Sequence, residues 1–392
     1  MKQQKICIIG SGLTGLLTAA ILSRLNVKID LIAGSVNKKI NNRTTAISQD
    51  NVNFLKKNKI LSVDKKLFWP CSKMKLYTVS KTSKLNKIFE INEFESSKKK
   101  ILYMTRNSQI IQNINDYIIR KKIVKIKKKK LNFKMITSGF LKSIKFNKDY
   151  QSKYNLLIFC TGKNSDLTKN IASSNNINHG YREVSITTIL KHEFLNNNSA
   201  HQIFLDSGIM AFLPISNTET SVVWSVKKKV IEKYKNRRNF LIKKKIYLSA
   251  TSFYKKIKFF SNLEINDLNL FISQNYYKDR ILLFGDALHT VHPFAGQGFN
   301  MIIRDLEDLE KKLRNKINLG IDIGSNEILS EFSNEAKPRN FIYSMGLDIL
   351  KKSFSIKNKP YQNIRNQTLS IISKNPYAKK FLFNLANNKF KF

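Results

Sequence analysis

Lys5-Ile6-Cys7-Ile8-Ile9-Gly10-Ser11-Gly12-Leu13-Thr14-Gly15 is the stretch on which the fold class turns. Lys5–Ile9 reads as a short buried strand that runs straight into three glycines. A helix is expected from about Leu16 to Leu25, and a second strand over Lys28–Ala33. The result is a strand–turn–helix–strand unit of about thirty residues. Each glycine has its own physical task. The first permits a tight turn, the second lets backbone approach a pyrophosphate, and the third allows close helix–strand packing. The helix N-terminus adds N–H groups and a partial positive charge for the anion. An ordinary tight turn can carry the same spacing, so the motif needs support from elsewhere in the chain.

That support lies far downstream, in Gly285-Asp286-Ala287-Leu288-His289-Thr290-Val291-His292-Pro293-Phe294-Ala295-Gly296-Gln297-Gly298-Phe299-Asn300. Arg280–Phe284 is read as a buried strand feeding an acidic residue. A proline-anchored loop follows, then a glycine-opened helix reaching about Leu313. Such a helix start can bring N–H groups up to a ring that carries negative charge. His289 and His292 have no third ligand at metal spacing nearby, so no metal is expected, and the pair reads as packed and hydrogen-bonded.

The bulk composition excludes several classes. At 392 residues the chain exceeds the size at which one core keeps growing, which predicts two intimately joined domains. A hydrophobic fraction of 42% is too high for a disordered protein. No uncharged apolar run approaches the roughly 18 residues of a membrane span. Glycines interrupt the apolar stretch after Lys2 and Lys5, and no small-residue cleavage site follows, so a signal peptide is not expected. Cys7, Cys71 and Cys160 are scattered and never paired as C-x-x-C, which fits a reducing compartment. The net charge of +43 is almost all lysine, with only about a dozen arginines, and comes with abundant Asn and Ile. Those residues have A/T-rich codons, and no cluster of arginine forks and stacking aromatics is visible, so nucleic acid is not an expected partner. Attraction to an anionic membrane surface follows from such charge whatever its origin.

Further along, residues 75–94 alternate like strands, Ser108–Ile119 looks helical, and Val124–Lys130 and Asn155–Cys160 read as strands. Ser185–Leu190, His201–Leu205, Met210–Pro214 and Ser221–Val226 are short β-rich runs. Val230–Lys256 is expected to be one lysine-studded helix, and the rest of the chain to be helical.

Gly285–Asn300 with Arg304-Asp305-Leu306 closely resembles the GD-containing segment of class A flavin monooxygenases, which are para-hydroxybenzoate-hydroxylase-like. In particular it looks like the family that hydroxylates ubiquinone precursors. Arg43–Ser48, Tyr103–Asn107 with Gln112, Met210–Pro214 and Ser221–Trp224 resemble that family's other signatures in order. The resemblance implies FAD, with Gly10, Ser11, Gly12, Leu13, Thr14 and Gly15 on its pyrophosphate. It places Arg43 and Gln112 at the phosphate and ribityl region, and Gly285 and Asp286 at a ribityl hydroxyl. Thr161 and Gly162 occupy the family's Asp-Gly position. Pro293, Gly296, Gln297, Gly298, Phe299 and Asn300 would line the flavin ring. The implied chemistry is reduction by NAD(P)H and transfer of an oxygen atom from O2 to an electron-rich phenol. Since the cofactor supplies that chemistry, no side chain is singled out as catalytic.

Three positions depart from the pattern. The acid expected at the end of the second strand is Ala33, and Asp30, three residues earlier, faces the opposite side of a period-two strand. The Asp-Gly motif reads Thr161-Gly162, and the arginine expected beyond it is Thr168. These changes leave two readings open, relaxed cofactor contacts or lost turnover.

The expected architecture is α/β, a Rossmann-like FAD-binding domain (residues 1–74, 100–178 and 270–345) with an inserted, mostly antiparallel β substrate domain (75–99 and 179–269). A helical C-terminal segment spans 346–392. The expected activity is FAD-dependent hydroxylation of a polyprenylated phenol in ubiquinone biosynthesis. The alternative is a weakly active or non-catalytic flavoprotein subunit of a quinone-biosynthesis assembly, with other enzymes of that route as possible partners. Because a polyprenyl phenol stays in the bilayer, a cytoplasmic enzyme peripheral to the inner face of the cytoplasmic membrane is expected. Leu369–Phe392 is the proposed contact, since Leu369, Ile372, Tyr377, Phe381, Leu382 and Leu385 fall near helical spacing among lysines.

Overall fold

The structure, a computed structural model, describes residues 3–33, 43–61, 64–79, 85–92, 100–122, 124–128, 134–138, 141–146, 150–169, 171, 175–293, 296–356 and 358–375. Residues 34–42, Phe294 and Ala295, and the chain from Pro376 onward, which includes most of the proposed membrane contact, lie outside the described residues.

Gln4–Ile9, Val27–Ala33, Val124–Lys128, Leu156–Phe159 and Ile281–Leu283 form one parallel sheet, extended by a short antiparallel strand at Tyr277–Lys278. Gln4–Ile9 lies between Leu156–Phe159 and Val27–Ala33. Ile6–Ile9 and Leu156–Phe159 are fully buried, as near-continuous apolar runs in parallel strands must be when both faces are covered. Helix α1 (Leu13–Leu22) is buried from Gly15 onward, because it is enclosed by this sheet and by the helices Asn107–Lys121 and Gly298–Asn318. The helices in order are α1, α2 (Gln49–Lys57), α3 (Asn107–Lys121), α4 (Asp166–Lys169), α5 (Lys228–Glu232), α6 (Arg238–Ala250), α7 (Gly298–Asn318), α8 (Asn326–Ser355) and α9 (Lys359–Lys374).

A second, larger sheet is mostly antiparallel. At its centre Ile177–Lys191, Glu219–Lys227, Gly208–Pro214 and Ser199–Leu205 lie side by side, and Lys73–Val79 joins Ser199–Leu205 in parallel. Glu264–Ile272 and Leu85–Asn92 flank the two ends. The period-two pleat separates two rows across its four central strands. Ile186, Trp224, Met210 and Ile203 are register partners packed in an apolar core. That core is closed by Ile242, Ile246 and Ala250 of α6. One residue along, Thr187, Val223, Ala211 and Gln202 form the next row, on the opposite face.

Two smaller sheets complete the molecule. Thr44–Ser48, Leu102–Arg106 and Trp69–Cys71 sit beside the parallel sheet, and Lys134–Ser138, Leu141–Phe146 and Tyr150–Tyr154 form an antiparallel meander. The α/β architecture read from the sequence, with a β-rich insertion and helical C-terminal part, is the one observed. One element differs. The helix expected over Val230–Lys256 is broken at Lys233–Tyr234 and ends at Ala250. Lys235 takes a left-handed φ of 40°, which no continuous helix tolerates.

Candidate functional site

The three glycines of the first turn play three separate geometric parts. Gly10 has φ +114°, and a Cβ there would lie 2.5 Å from the Cys160 carbonyl oxygen. A Cβ on Gly15 would lie 1.8 Å from the Gly10 carbonyl oxygen, so helix and strand can approach only through glycine. Gly12 is the opposite case, since nothing lies within 4 Å of its Cβ direction. This open space, in front of the unpaired N–H groups at the start of α1, suits a pyrophosphate.

The downstream motif packs directly onto this turn. Gly285, at φ +67°, lies so close to Thr14 that a Cβ would come within 2.5 Å of the threonine methyl. The Phe284 N–H donates to the Phe159 carbonyl at 3.0 Å, and the Cys160 N–H to the Ile9 carbonyl at 2.8 Å. Gly10–Gly15, Thr161–Gly162 and Gly285–Asp286 therefore meet at the carboxyl ends of three adjacent parallel strands, where doubly wound sheets bind ligands. Asp286 is exposed at this edge of the sheet. Desolvation raises its pKa above the ordinary range, opposed by the charges of His289 and Arg43.

Beyond Asp286, Val291, Pro293 and Gly296 border a cavity of about 280 Å³. Val291, Pro293 and Gly296 line one side with Arg43–Ala46 and Met104. Ser185, Thr187, Gln202, Ala211, Leu213 and Val223 of the large sheet line the other. Gly296, at φ +66°, sits against Ala46, where a Cβ would come within 2.8 Å of the alanine Cβ. Asn300 is fully buried and engaged within the protein. Its Oδ1 accepts from the Ser48 N–H and the Asn51 amide, and its Nδ2 donates to the Ala46 carbonyl. Gln297 is buried and accepts from Asn300, and Phe299 packs on the core. Gln112 is exposed on α3 and does not line the cavity.

The two motif histidines have carboxylate partners. His289 Nε2 lies 3.0 Å from Asp305, which also accepts from Asn340 and Arg339. Among the described residues no group of three or more His, Cys, Asp or Glu could hold a metal. His292 Nε2 lies 3.2 Å from Glu183, whose other oxygen lies 2.9 Å from Lys351 on α8. Burial alone would raise the Glu183 pKa, but the bonds from His292 and Lys351 outweigh it and hold the carboxyl below its usual range. Burial keeps His292 below its own ordinary value, so neutral imidazole is the donor. The stability this carboxylate contributes is fully present above about pH 4.5 and is lost as the pH falls through its lower folded value. Glu183→Gln is expected to flatten the acid limb of a melting-temperature profile and to cost roughly 1.5–3 kcal/mol at neutral pH. An unchanged profile would show that His292 and Lys351 find other partners.

The departures from the family pattern have structural explanations. Asp30 accepts from Lys127 and Tyr154 and pairs with Lys5, on the far side of the strand from Ala33. Thr168 is fully buried and donates to the Gly162 carbonyl at 2.8 Å. Its single proton being used there, Thr161 is the donor in the 3.1 Å contact between the two hydroxyls. Where the pattern leads one to expect an aspartate and an arginine, this chain has a neutral pair in hydrogen-bond contact.

Sequence reading passed over the cavity wall. Ser185, Thr187 and Gln202 are polar residues at alternate strand positions, a pattern that ordinarily marks a solvent face. His201 borders the same cavity, but its ring turns away and stacks on Phe253 at 4.1 Å, and burial pushes its pKa down to about 4.

Residues 148–340 match the FAD binding domain family model. The chain is 29% identical over 244 residues to the mitochondrial ubiquinone biosynthesis monooxygenase COQ6 of Xenopus tropicalis, covering 54% of this chain and 52% of that protein. It is 29% identical over 187 residues to the ubiquinone hydroxylase UbiL of Rhodospirillum rubrum, covering 45% and 41%. The chain spans about half the length of the curated relatives it matches. Among solved structures it is similar in fold to p-nitrophenol 4-monooxygenase PnpA from Pseudomonas putida, with TM-score 0.78, 13% identity and 98% of both chains covered. It is also similar to Klebsiella pneumoniae HpxO complexed with FAD and uric acid, with TM-score 0.74, 12% identity, and 98% and 96% covered.

Proposed function

We propose that this chain, a member of the FAD-binding monooxygenase family that includes the ubiquinone-biosynthesis hydroxylases, hydroxylates the aromatic ring of a polyprenylated phenol, with NAD(P)H as reductant and O2 as oxygen source. The observation that carries this reading is that Gly285 packs on Thr14 of the glycine turn, while Arg43, whose charge reaches Asp286, lines a cavity walled by the large sheet together with Pro293 and Gly296.

The residues present fit FAD. Gly10–Gly15 would hold the pyrophosphate against the α1 N-terminus, with Gly12 giving the close approach. Arg43, Asp286 and Gln112 would contact the phosphate and ribityl region, and Thr161–Gly162 would border it. Pro293, Gly296 and Gly298 would flank the ring, with Gln297, Phe299 and Asn300 holding the loop in place from behind. When bound, the cofactor supplies two-electron transfer and the activation of oxygen.

The chain's own residues then have three tasks. The apolar wall of Met104, Leu213, Val223 and Ala211 excludes water and takes a ring face-on. Thr187 and Gln202, three strands apart in one register row, offer polar groups to ring oxygens. Arg43 and the α7 N-terminus place positive potential beside the loop. The satisfied Thr161–Thr168 pair leaves no buried polar group unpaired at that turn, and the alternative, a non-catalytic flavoprotein subunit of a quinone-biosynthesis assembly, is separated from it by product formation on adding NAD(P)H. We place the protein in the cytoplasm, peripheral to the inner face of the cytoplasmic membrane, where its substrate and other ubiquinone-biosynthesis enzymes would meet it.

Denaturing the purified protein is expected to release about one FAD per chain, as a one-site cofactor requires. Release of NAD, or of nothing after reconstitution, would overturn the cofactor assignment. Complementation of strains each lacking one ring hydroxylase is expected to restore quinone synthesis in one of them. Failure in all would leave a flavoprotein with another substrate.

A further inference from the structure

Three oxygens on residues that border the cavity are buried without a hydrogen-bond partner among the described residues: Thr44 Oγ1, Thr187 Oγ1 and Gln202 Oε1. Buried polar atoms are ordinarily paired, because an unpaired one forfeits the hydrogen bonds it made in water. Thr187 and Gln202 are 5 and 4% exposed, so bulk solvent does not serve them. Between them in the same register row stand Val223 and Ala211. At a strand spacing of about 4.8 Å the two polar ends lie roughly 14 Å apart across that apolar floor. A ring laid on the floor meets polar groups at its edges and none at its face.

Chemistry narrows what sits at the Gln202 edge. An amide oxygen accepts a hydrogen bond and never donates one. A ligand that displaces solvent there must therefore bring the hydrogen itself. A phenol or hydroquinone brings one, whereas a methyl ether, a quinone carbonyl or a carboxylate does not.

Charge narrows it again. Among the described residues of the large sheet that line the cavity there is no Lys or Arg. His201 is neutral, since burial pushes its pKa down to about 4 and its ring stacks on Phe253. Arg43 stands on the opposite side, where its charge acts on Asp286. Asp267, the acid among the lining residues, pairs with Lys228 at 2.8 Å. A ring carboxylate on this wall would lose its hydration and find no cation in exchange.

We propose that Gln202 is a specificity-determining residue that accepts the hydroxyl hydrogen of a neutral, carboxylate-free phenol, with Thr187 at the far end of the same floor. Such a site, which rests on the hydroxylase reading above, refuses ring acids, oxidised quinones and rings whose hydroxyl is methylated.

The test is titration of the FAD-loaded chain, without reductant, with 2-allylphenol, its methyl ether and 3-allyl-4-hydroxybenzoate, followed through the flavin absorbance. The phenol is expected to bind at least about tenfold more tightly than either analogue. Gln202→Leu is expected to abolish the preference over the ether by weakening the phenol alone, and Gln202→Met, closer in shape, to do the same. Without ligand, both variants are expected to melt at or above the parent's temperature, since an unpaired polar group is exchanged for an apolar one. Equal binding of all three compounds by the parent overturns the inference and leaves the hydroxylase reading standing. So does a preference for the phenol over the ether that survives in both variants. Variants that melt well below the parent would show that Gln202 pairs inside the protein, which also overturns it. Binding of none of the three, on a chain that holds FAD, removes the aromatic-substrate reading and this inference with it.

Discussion

A Gly12→Val chain is expected to fold, to melt near the parent's temperature, and to purify colourless. Gly12 sits at φ −70° and ψ 178°, an extended conformation that valine accepts, and nothing lies within 4 Å of the added Cβ. The new methyls would instead fill the space in front of the α1 N-terminus, where the pyrophosphate must lie. Gly15→Ala, three residues away, is expected to behave in the opposite manner. Its Cβ would fall 1.8 Å from a backbone oxygen that cannot step aside, so the turn must open and the helix lift from the strand. That is expected to cost about 3 kcal/mol or more, at the upper end of what overpacking costs. Flavin absorbance and melting temperature, measured on both, separate the two effects. Full flavin occupancy in Gly12→Val would mean the cofactor lies elsewhere.

Thr168→Arg is expected to be the most damaging single polar substitution in the cofactor half of the molecule. The position is 0% exposed and its hydroxyl is committed to the Gly162 carbonyl. A guanidinium there would be buried facing another hydroxyl, and an uncompensated buried charge costs about 3–5 kcal/mol. For a chain of this size that is a fall of roughly 4–6 °C in melting temperature. Adding Thr161→Asp supplies the missing counter-charge, so the double variant should recover about 1–3 kcal/mol of the loss. Additive losses in the double variant would show that the two positions do not act as a pair. A single variant as stable as the parent would show that the arginine escapes to solvent.

What the sequence revealed and concealed follows from where the information sits along the chain. The turn at Gly10–Gly15 was legible because strand, glycines and helix are contiguous, and each part constrains the next. The segment around Asp286 was legible as a motif, and packing of Gly285 on Thr14 is what makes the two segments one site. The cavity wall was not legible. Thr187 and Gln202 belong to one row only through the register of two intervening strands, which no local pattern encodes. The break near Lys235 escaped notice because lysine-rich segments have good helix propensity, and the tertiary packing of α6 overrides it. The neutral pair at Thr161 and Thr168 looked like two losses when read separately. Side by side in space, it is one exchange.

The order of strands in the parallel sheet also dictates when, during synthesis, the protein can exist at all. Ile6 has Leu156 as its neighbour, and Leu157 has Ile281 as the next. Gln4–Ile9 therefore waits about 150 residues of synthesis for one partner, and the sheet stays unfinished until Ile281–Leu283 follows. At roughly 5–20 residues per second, that is on the order of 8–30 s before Leu156–Phe159 can cover one edge of Ile6–Ile9. Contacts so distant in sequence also carry a large loop-closure cost and slow the final docking. Such a nascent chain is a natural client for a chaperone that shields apolar segments. Its yield should depend on growth temperature and translation rate more steeply than the stability of the finished molecule would suggest.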